Sequence, residues 1–519
     1  MKNKIISAAD AIALVKSSDV LSIAGFVGVG VPDELLIALE KRFLSTGSPA
    51  NLTLMFTAGP GDGAERGLNK LAYQGLIKRT IGGHYGLVPK LGSLATSGKI
   101  EAYNFPQGII SQLYRDIAAG KPGILSRVGI GTFVDPRIQG GKVNENTTED
   151  LIEVITLAGE ELLFYKSIKI NVAFIRGTSA DPKGNISMER EALRIDNLAQ
   201  AMAAKNSGGL VIAQVEKIVE QGSLNPRIVE IPGVMVDAVV VARSENHVQT
   251  YATIYSPYLD GHARAPDDDT TTPTSLDFRK VICRRAALEL QKYEGVINLG
   301  IGVPEGVASV AREEGWLDKV TLSAEPGVIG GQPSSGLDFG TAVNTDVIIT
   351  QNQQFDFYDG GGLSLAVLGM AQVGATGDVN VSRFGSRLMG AGGFINISQN
   401  AKNLIFCGAF TSGGLKINIV KGSLDIEQEG KIEKFVNHVD QITFSGDRAS
   451  QKRQSVLYVT ERCVFELLPN GLKLIEVAPG INIERDILRY MSFKPLVENP
   501  QKMHSHIFVE GPMSENVMK

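Results

Sequence analysis

The chain has 519 residues, 43% of them apolar, with a net charge of −5 and three cysteines. That length predicts two to four domains with ample material for large cores. The mildly acidic balance lacks the clustered basic surface that nucleic-acid binding requires, and the isolated Cys283, Cys407 and Cys463 form neither a CxxC nor a disulfide framework.

The first residues, "MKNKIISAADAIALVKSSDV", carry no long apolar stretch and no cleavage signal, and no run of 18 apolar residues occurs. A cytoplasmic protein with no membrane partner is expected. Short β-branched runs then recur: "VLSIAGF" from Val20, "LTLMFT" from Leu52, "INVAFIR" from Ile170, "GLVIAQV" from Gly209 and "VDAVVVA" from Val236. After a break come "GVINLGIG" from Gly295, "KVTLSA" from Lys319, "TDVIITQ" from Thr345 and "LIFCGAF" from Leu404. Helical stretches such as "PDELLIALEKRF" and "FRKVICRRAALEL" lie between them. Buried strands alternating with amphipathic helices predict an α/β fold with mostly parallel sheets.

The break is "SPYLDGHARAPDDDTTTPTSLD", residues 256–277. It is polar, rich in Pro, Asp and Thr, and aperiodic, and reads as an interdomain connection. The two sides resemble each other. "GVGVPDELLIAL" starts at Gly28 and "GIGVPEGVASVA" at Gly300; a looser pair is "ADPKGNIS" at Ala180 and "GATGDVNVS" at Gly374. The expectation is a pseudo-symmetric pair of homologous open α/β domains, an N-terminal half over 1–255 and a C-terminal half over 278–519. In the repeated turn, Pro32 and Pro304 suit a first helical turn, and Asp33 and Glu305 suit the positive end of the helix dipole. Tight strand–helix packing and ligand contact by free helix amides are both open readings of this turn.

Several chemistries lack their motifs. There is no GxxxxGK[ST], no HExxH and no GxSxG, and the six histidines are scattered, so neither a P-loop nor a metal site is expected. What stands out is "SAEPGVIGG" over 323–331. Its glutamate, Glu325, follows a strand and precedes Pro326, among glycines that would let a large ligand approach. Ligands in parallel α/β sheets bind beyond the carboxyl ends of strands. A carboxylate there suits a general base, an electrostatic stabiliser or a nucleophile.

"NLGIGVP" (298–304) followed by "SAEPGVIGG" resembles the family I CoA-transferases, in particular the single-chain type with fused halves that acts on acetate, propionate and other short-chain acyl-CoAs. The resemblance implies that Glu325 is the nucleophile. "YNFPQGIISQLYRDIAAGKPG" (103–123) resembles the family's PQG segment and implies Gln107 as an active-site amide. "LMGAGGFINISQNAK" (388–402) resembles its glycine-rich loop and implies Gly392 and Gly393 as backbone donors near the thioester. The match runs along nearly the whole chain. It departs at Pro326, where a polar residue is more familiar, and at "TAGPGDG" (57–63), which lacks the side-chain amide of the fused ketoacid transferases; that role is not transferred.

The resemblance implies ping-pong transfer of coenzyme A, as substrate, between a short-chain acyl-CoA and a free carboxylic acid through a glutamyl-CoA thioester. No tightly bound cofactor and no metal are implied, and a homo-oligomer, dimer or tetramer, is expected. An acyl-CoA hydrolase on the same scaffold and a sugar-phosphate isomerase or binding module of related fold are the alternatives.

Overall fold

The computed structural model describes residues 4–266 and 275–513; residues 267–274 of the expected connection lie outside the described residues. The chain packs as two units. The first comprises Met1–Ala265, Ala324–Asp356 and Arg383–Asn396, and the second Pro266–Ser323, Phe357–Ser382 and Ile397–Lys519. Two segments that follow the connection in sequence, one of them carrying Glu325, thus belong to the unit built on the N-terminal half.

The sheet of the first unit contains β1 (Val20–Ile23), β2 (Leu52–Phe56), β3 (Ile77–Gly82), β4 (Glu101–Asn104), β5 (Val172–Ala180), β6 (Ile186–Ser187), β7 (Leu210–Ile218) and β8 (Ala238–Val241). Seven of these strands run parallel in the order β8-β7-β5-β1-β2-β3-β4, and β6 turns back antiparallel on the end of β5. Every residue of β5 is buried, as a strand covered on both faces requires. Among the helices, α1 (Asp33–Thr46) follows β1 and ends at Gly47 in the left-handed conformation, φ +68°, which spares a side chain that strain. Helix α2 (Gln107–Ala118) follows β4, and α3 (Asn197–Asn206) precedes β7.

The second unit repeats this plan. Its strands are β9 (Gly295–Leu299), β10 (Val320–Ala324), β11 (Leu363–Gly369), β12 (Asn403–Cys407) and β13 (Ser455–Val459), parallel in the order β13-β12-β11-β9-β10. Substituting equivalent strands, this is the order β8-β7-β5-β1-β2 of the first unit. Helix α4 (Phe278–Leu290) precedes β9; the Asp277 carboxylate caps it by accepting from Lys280 N–H at 2.8 Å. Helix α5 (Glu305–Glu313) follows β9 as α1 follows β1. An antiparallel extension then lengthens the sheet: Cys463–Leu468 pairs antiparallel with β13 and with Gly471–Val477, the turn between the last two being Pro469-Asn470. All three cysteines are free and buried.

Two expectations change in detail. "TDVIITQ" is not a core strand. Only Val347–Ile348 is extended, paired antiparallel with Val328–Ile329, and Val347 is exposed. Helix α6 (Gln351–Asp359) begins immediately after it. The repeated glycine turns also show how their helix amides are used. In the first, Asp33 N–H donates to Val31 C=O and Glu34 N–H to the Gln214 side chain; in the second, the amides of Glu305, Gly306 and Val307 close local turns onto Gly302, Val303 and Pro304. These amides serve tight packing at both turns. Asp33 is itself buried, and burial raises its pKa against the hydrogen bonds from Tyr251 and Gly67.

Candidate active site

Glu325 follows directly on β10. Gly327 N–H donates to Ala324 C=O at 3.1 Å, so Glu325 and Pro326 are the central residues of a tight turn. Gly327 has φ +116°, and a Cβ there would stand 2.1 Å from the carbonyl oxygen of Ile349. Only glycine lets the turn close against that strand, where Ile349 N–H donates to Gly327 C=O at 2.8 Å. Ala324 and Val328, on either side, belong to a buried apolar cluster with Phe26, Val27, Ala58, Leu193, Ile195 and Phe339. Phe26 and Val27 follow β1, and Ala58 follows β2. The turn carrying Glu325 is therefore seated beyond the carboxyl ends of the first unit's parallel strands, the usual ligand position in such sheets. Phe26 and Phe339 stack with centroids 5.9 Å apart, and Pro326 closes over Gly340 beside the Phe26 ring.

Glu325 itself is half-buried. No hydrogen bond or ion pair to its carboxyl is found among the described residues. Burial alone lifts its pKa from 4.5 to about 7. The result is a carboxyl with little competing solvation and, among the described residues, no cation to hold its charge.

Gln107 opens α2 and is buried. Its backbone N–H donates to Gly392 C=O at 2.9 Å, and its side-chain Nε2 donates to Gln351 Oε1 at 3.1 Å. Gly392 N–H in turn donates to Gly83 C=O at 2.7 Å. Of the two glycines expected as backbone donors, Gly392 is therefore already engaged, whereas no acceptor for Gly393 N–H is found among the described residues. Gly392 has φ +54°, which turns the chain into helix α7 (Phe394–Asn400). Asn104, at the end of β4, braces this turn: its Nδ2 donates to Gly83 C=O at 2.7 Å, and its Oδ1 accepts from Ala391 N–H at 2.9 Å.

Gln107 thus lies beneath the glycine turn and reaches the turn of Glu325 through bonded neighbours, since Gly327 pairs with Ile349 and Gln351 follows two residues later. Glu325, Gln107, Gly392 and Gly393 all fall in the first unit.

Three further side chains here were not singled out in the sequence. His84, following β3, lies against Gly59, Gly86 and Gly392, and burial lowers its pKa to about 4, so the imidazole is neutral. Asp196 is buried and lifted to about 7 by that burial; Gln351 is fully buried. A histidine between "GG" and "YG" after a strand was a usable local signal; Asp196 and Gln351 carry none, because tertiary contacts create their environment.

The second unit holds a separate cavity of about 920 Å³ beyond the carboxyl ends of β9 and β12. Gly302, Val303, Glu305, Arg279, Thr411 and Gly413 are among its lining residues. Among the described residues no cluster of metal-ligating side chains occurs, and no helix is long and apolar enough to cross a membrane.

Comparison with known proteins adds the following. A family model described as "Coenzyme A transferase" matches residues 5–242. The chain is 44% identical over 514 residues to the caffeate CoA-transferase of Acetobacterium woodii, covering 98% of each. It is 42% identical over 512 residues to the acetate CoA-transferase YdiF of Escherichia coli K12, covering 98% of this chain and 96% of that one. The crystal structure of the E. coli O157:H7 acyl-CoA transferase YdiF, as a thioester complex with CoA, superposes with a TM-score of 0.92 at 40% identity, covering 99% of this chain and 97% of that one.

Proposed function

This chain belongs to the coenzyme A transferase family, and on that premise we propose that Glu325 carries the coenzyme between two acids. The observation that carries the reading is a half-buried carboxyl, unpaired among the described residues, on a glycine-closed turn at the carboxyl ends of parallel strands. Glu325 attacks the thioester carbonyl of an acyl-CoA, forming a mixed anhydride and expelling CoA thiolate. The thiolate attacks the glutamyl carbonyl, leaving a glutamyl-CoA thioester and a free carboxylate. The acceptor acid then reverses both steps. Splitting the exchange this way conserves the thioester bond. A carboxyl group can form both the anhydride and the thioester, which a hydroxyl cannot.

The unbonded Gly393 amide is assigned to the oxyanion, where one well-placed donor contributes roughly 3 kcal/mol. Gly392 and Gln107 hold that amide in place. Pro326, Phe26 and Phe339 restrict water at an intermediate that would otherwise hydrolyse. The relatives are named for transfer to caffeate and to acetate; names of that kind favour transfer over hydrolysis or sugar-phosphate chemistry. For this chain we assign short-chain monocarboxylates, a cytoplasmic location and a homo-oligomeric state, in a protein of two fused homologous halves over 1–255 and 278–519.

Intact-mass measurement after exposure to acetyl-CoA without acceptor tests the central step. CoA bound covalently, mapped to Glu325 and absent in Glu325→Ala, is expected; an adduct elsewhere, or none, overturns the assignment.

A further inference from the structure

Asp196 accepts three hydrogen bonds from neutral donors: Ser111 Oγ at 2.5 Å, Gln351 Nε2 at 2.6 Å and the Asn352 backbone amide. It stands at the start of α3, yet its side chain does not cap that helix. The preceding Ile195 has φ +53°, an unusual conformation for a β-branched residue, and its carbonyl accepts from Gln351 N–H at 3.1 Å. Backbone and side chain of 195–196 thus grip the start of α6 at two points. Ser111 lies one turn along α2 from Gln107.

When Asp196 is ionised, the chemistry of its partners fixes a polarity. An ionised carboxylate only accepts. Gln351 must therefore turn its NH₂ to Asp196 and its oxygen to Gln107. Gln107 must then answer with its own NH₂, at 3.1 Å. Its oxygen is left facing the glycine turn, where a Cβ on Gly392 would stand 3.7 Å from it. Reversing either amide would set oxygen against oxygen in a buried site, a costly arrangement. A direction set at Asp196 thus reaches Gly392 through two side chains.

We propose that Asp196 and Gln351 are positioning residues that orient Gln107 beneath the Gly392–Gly393 turn, and so align the Gly393 amide for thioester formation at Glu325. The inference rests on the function proposed above. Gln112 Nε2 to Asp356 Oδ1 at 3.1 Å and the Arg115–Asp356 ion pair join α2 to α6 independently, so the helices stay docked when the relay is cut.

The test is the single-turnover rate of glutamyl-CoA formation from acetyl-CoA at pH 8, above the value of about 7 to which burial lifts Asp196. Gln351→Met keeps the volume and removes the relay; a fall of roughly 10- to 100-fold is expected, in a protein that still melts cooperatively. If Gln351 acts through Gln107, the double variant Gln107→Met/Gln351→Met is no slower than Gln107→Met. Gln351→Glu sets two carboxylates together and is slow. Adding Asp196→Asn to that variant moves the charge from one side chain to its partner: the new amide at position 196 donates, the new carboxylate at position 351 accepts, and Gln107 regains its orientation. That double variant should recover to within about tenfold of the parent, which a role in packing alone does not predict. Multiplying effects at 107 and 351, or no recovery on transposing the charge, overturns the proposal. A parent enzyme that forms no adduct at Glu325 would instead overturn the function, so the two failures are distinguishable.

Discussion

Glu325→Gln should cost the enzyme its activity and, at alkaline pH, stabilise it. A carboxyl whose pKa is higher folded than unfolded binds its proton more tightly in the folded state. Its contribution to stability is greatest below the unfolded value of 4.5 and is lost as pH rises through about 7. The full displacement corresponds to on the order of 3 kcal/mol between the two protonation states. Because the residue is half-buried, solvent screening reduces this to roughly 1–3 kcal/mol. Glutamine keeps the shape of the neutral acid and never ionises. Urea denaturation followed by circular dichroism should therefore give a higher midpoint for Glu325→Gln than for the parent at pH 8, and nearly equal midpoints at pH 4.5. The parent's single-turnover rate should run the opposite way, falling about tenfold per pH unit below 7 as the nucleophilic carboxylate is lost. A midpoint difference that is the same at both pH values would show that no desolvated charge resides at Glu325. Burial would then not account for nucleophilicity at Glu325.

Two other outcomes are expected. Gly327→Ala places a Cβ 2.1 Å from the Ile349 carbonyl at φ +116°; a displacement of about 1 Å at Glu325 should lower transfer on the order of 10²-fold, visible as slow adduct formation in a protein that still folds. Initial-rate lines against acyl-CoA at several acceptor concentrations should be parallel, with acetate, propionate and butyrate used more readily than succinate; intersecting lines exclude the ping-pong scheme.

The sheets were legible because buried parallel strands are written as apolar runs, and the duplicated "GVGVP" and "GIGVP" mark equivalent positions in two sheets of the same strand order. "TDVIITQ" misled because β-branched residues alone do not show whether a run is covered; here Val347 faces solvent and the chain turns at once into α6. Glu325 could be picked out because its turn is local, with strand, glutamate, proline and glycine in succession. The state of Gly392 could not. Its amide meets Gly83, and its carbonyl meets Gln107, across some three hundred positions of chain. Asp196 and Gln351 were invisible for the same reason. A buried amide's polarity depends on which group the fold sets opposite it, and here three segments distant in sequence meet.

The question posed by "SAEPGVIGG" is why a carboxylate is set apart from polar neighbours. An arginine or lysine beside Glu325 would satisfy the free carboxylate and hold its pKa low. It would also oppose each covalent state in turn, since the anhydride and the thioester are uncharged at that carbonyl and would leave the cation buried without a partner. The same cation would lower the nucleophilicity of the oxygen that must attack. Without it, on the mechanism proposed above, the carboxylate is less stabilised than either acyl derivative, so that forming the derivative relieves desolvation. On that mechanism, the raised pKa and the lack of an ion pair among the described residues are two expressions of one requirement: a group that alternates between charged and neutral forms must sit where neither is held too firmly. The fold meets this with a glycine-closed turn. Backbone bonds from Gly327 to Ala324 and from Ile349 to Gly327 fix the position of the residue without touching its carboxyl.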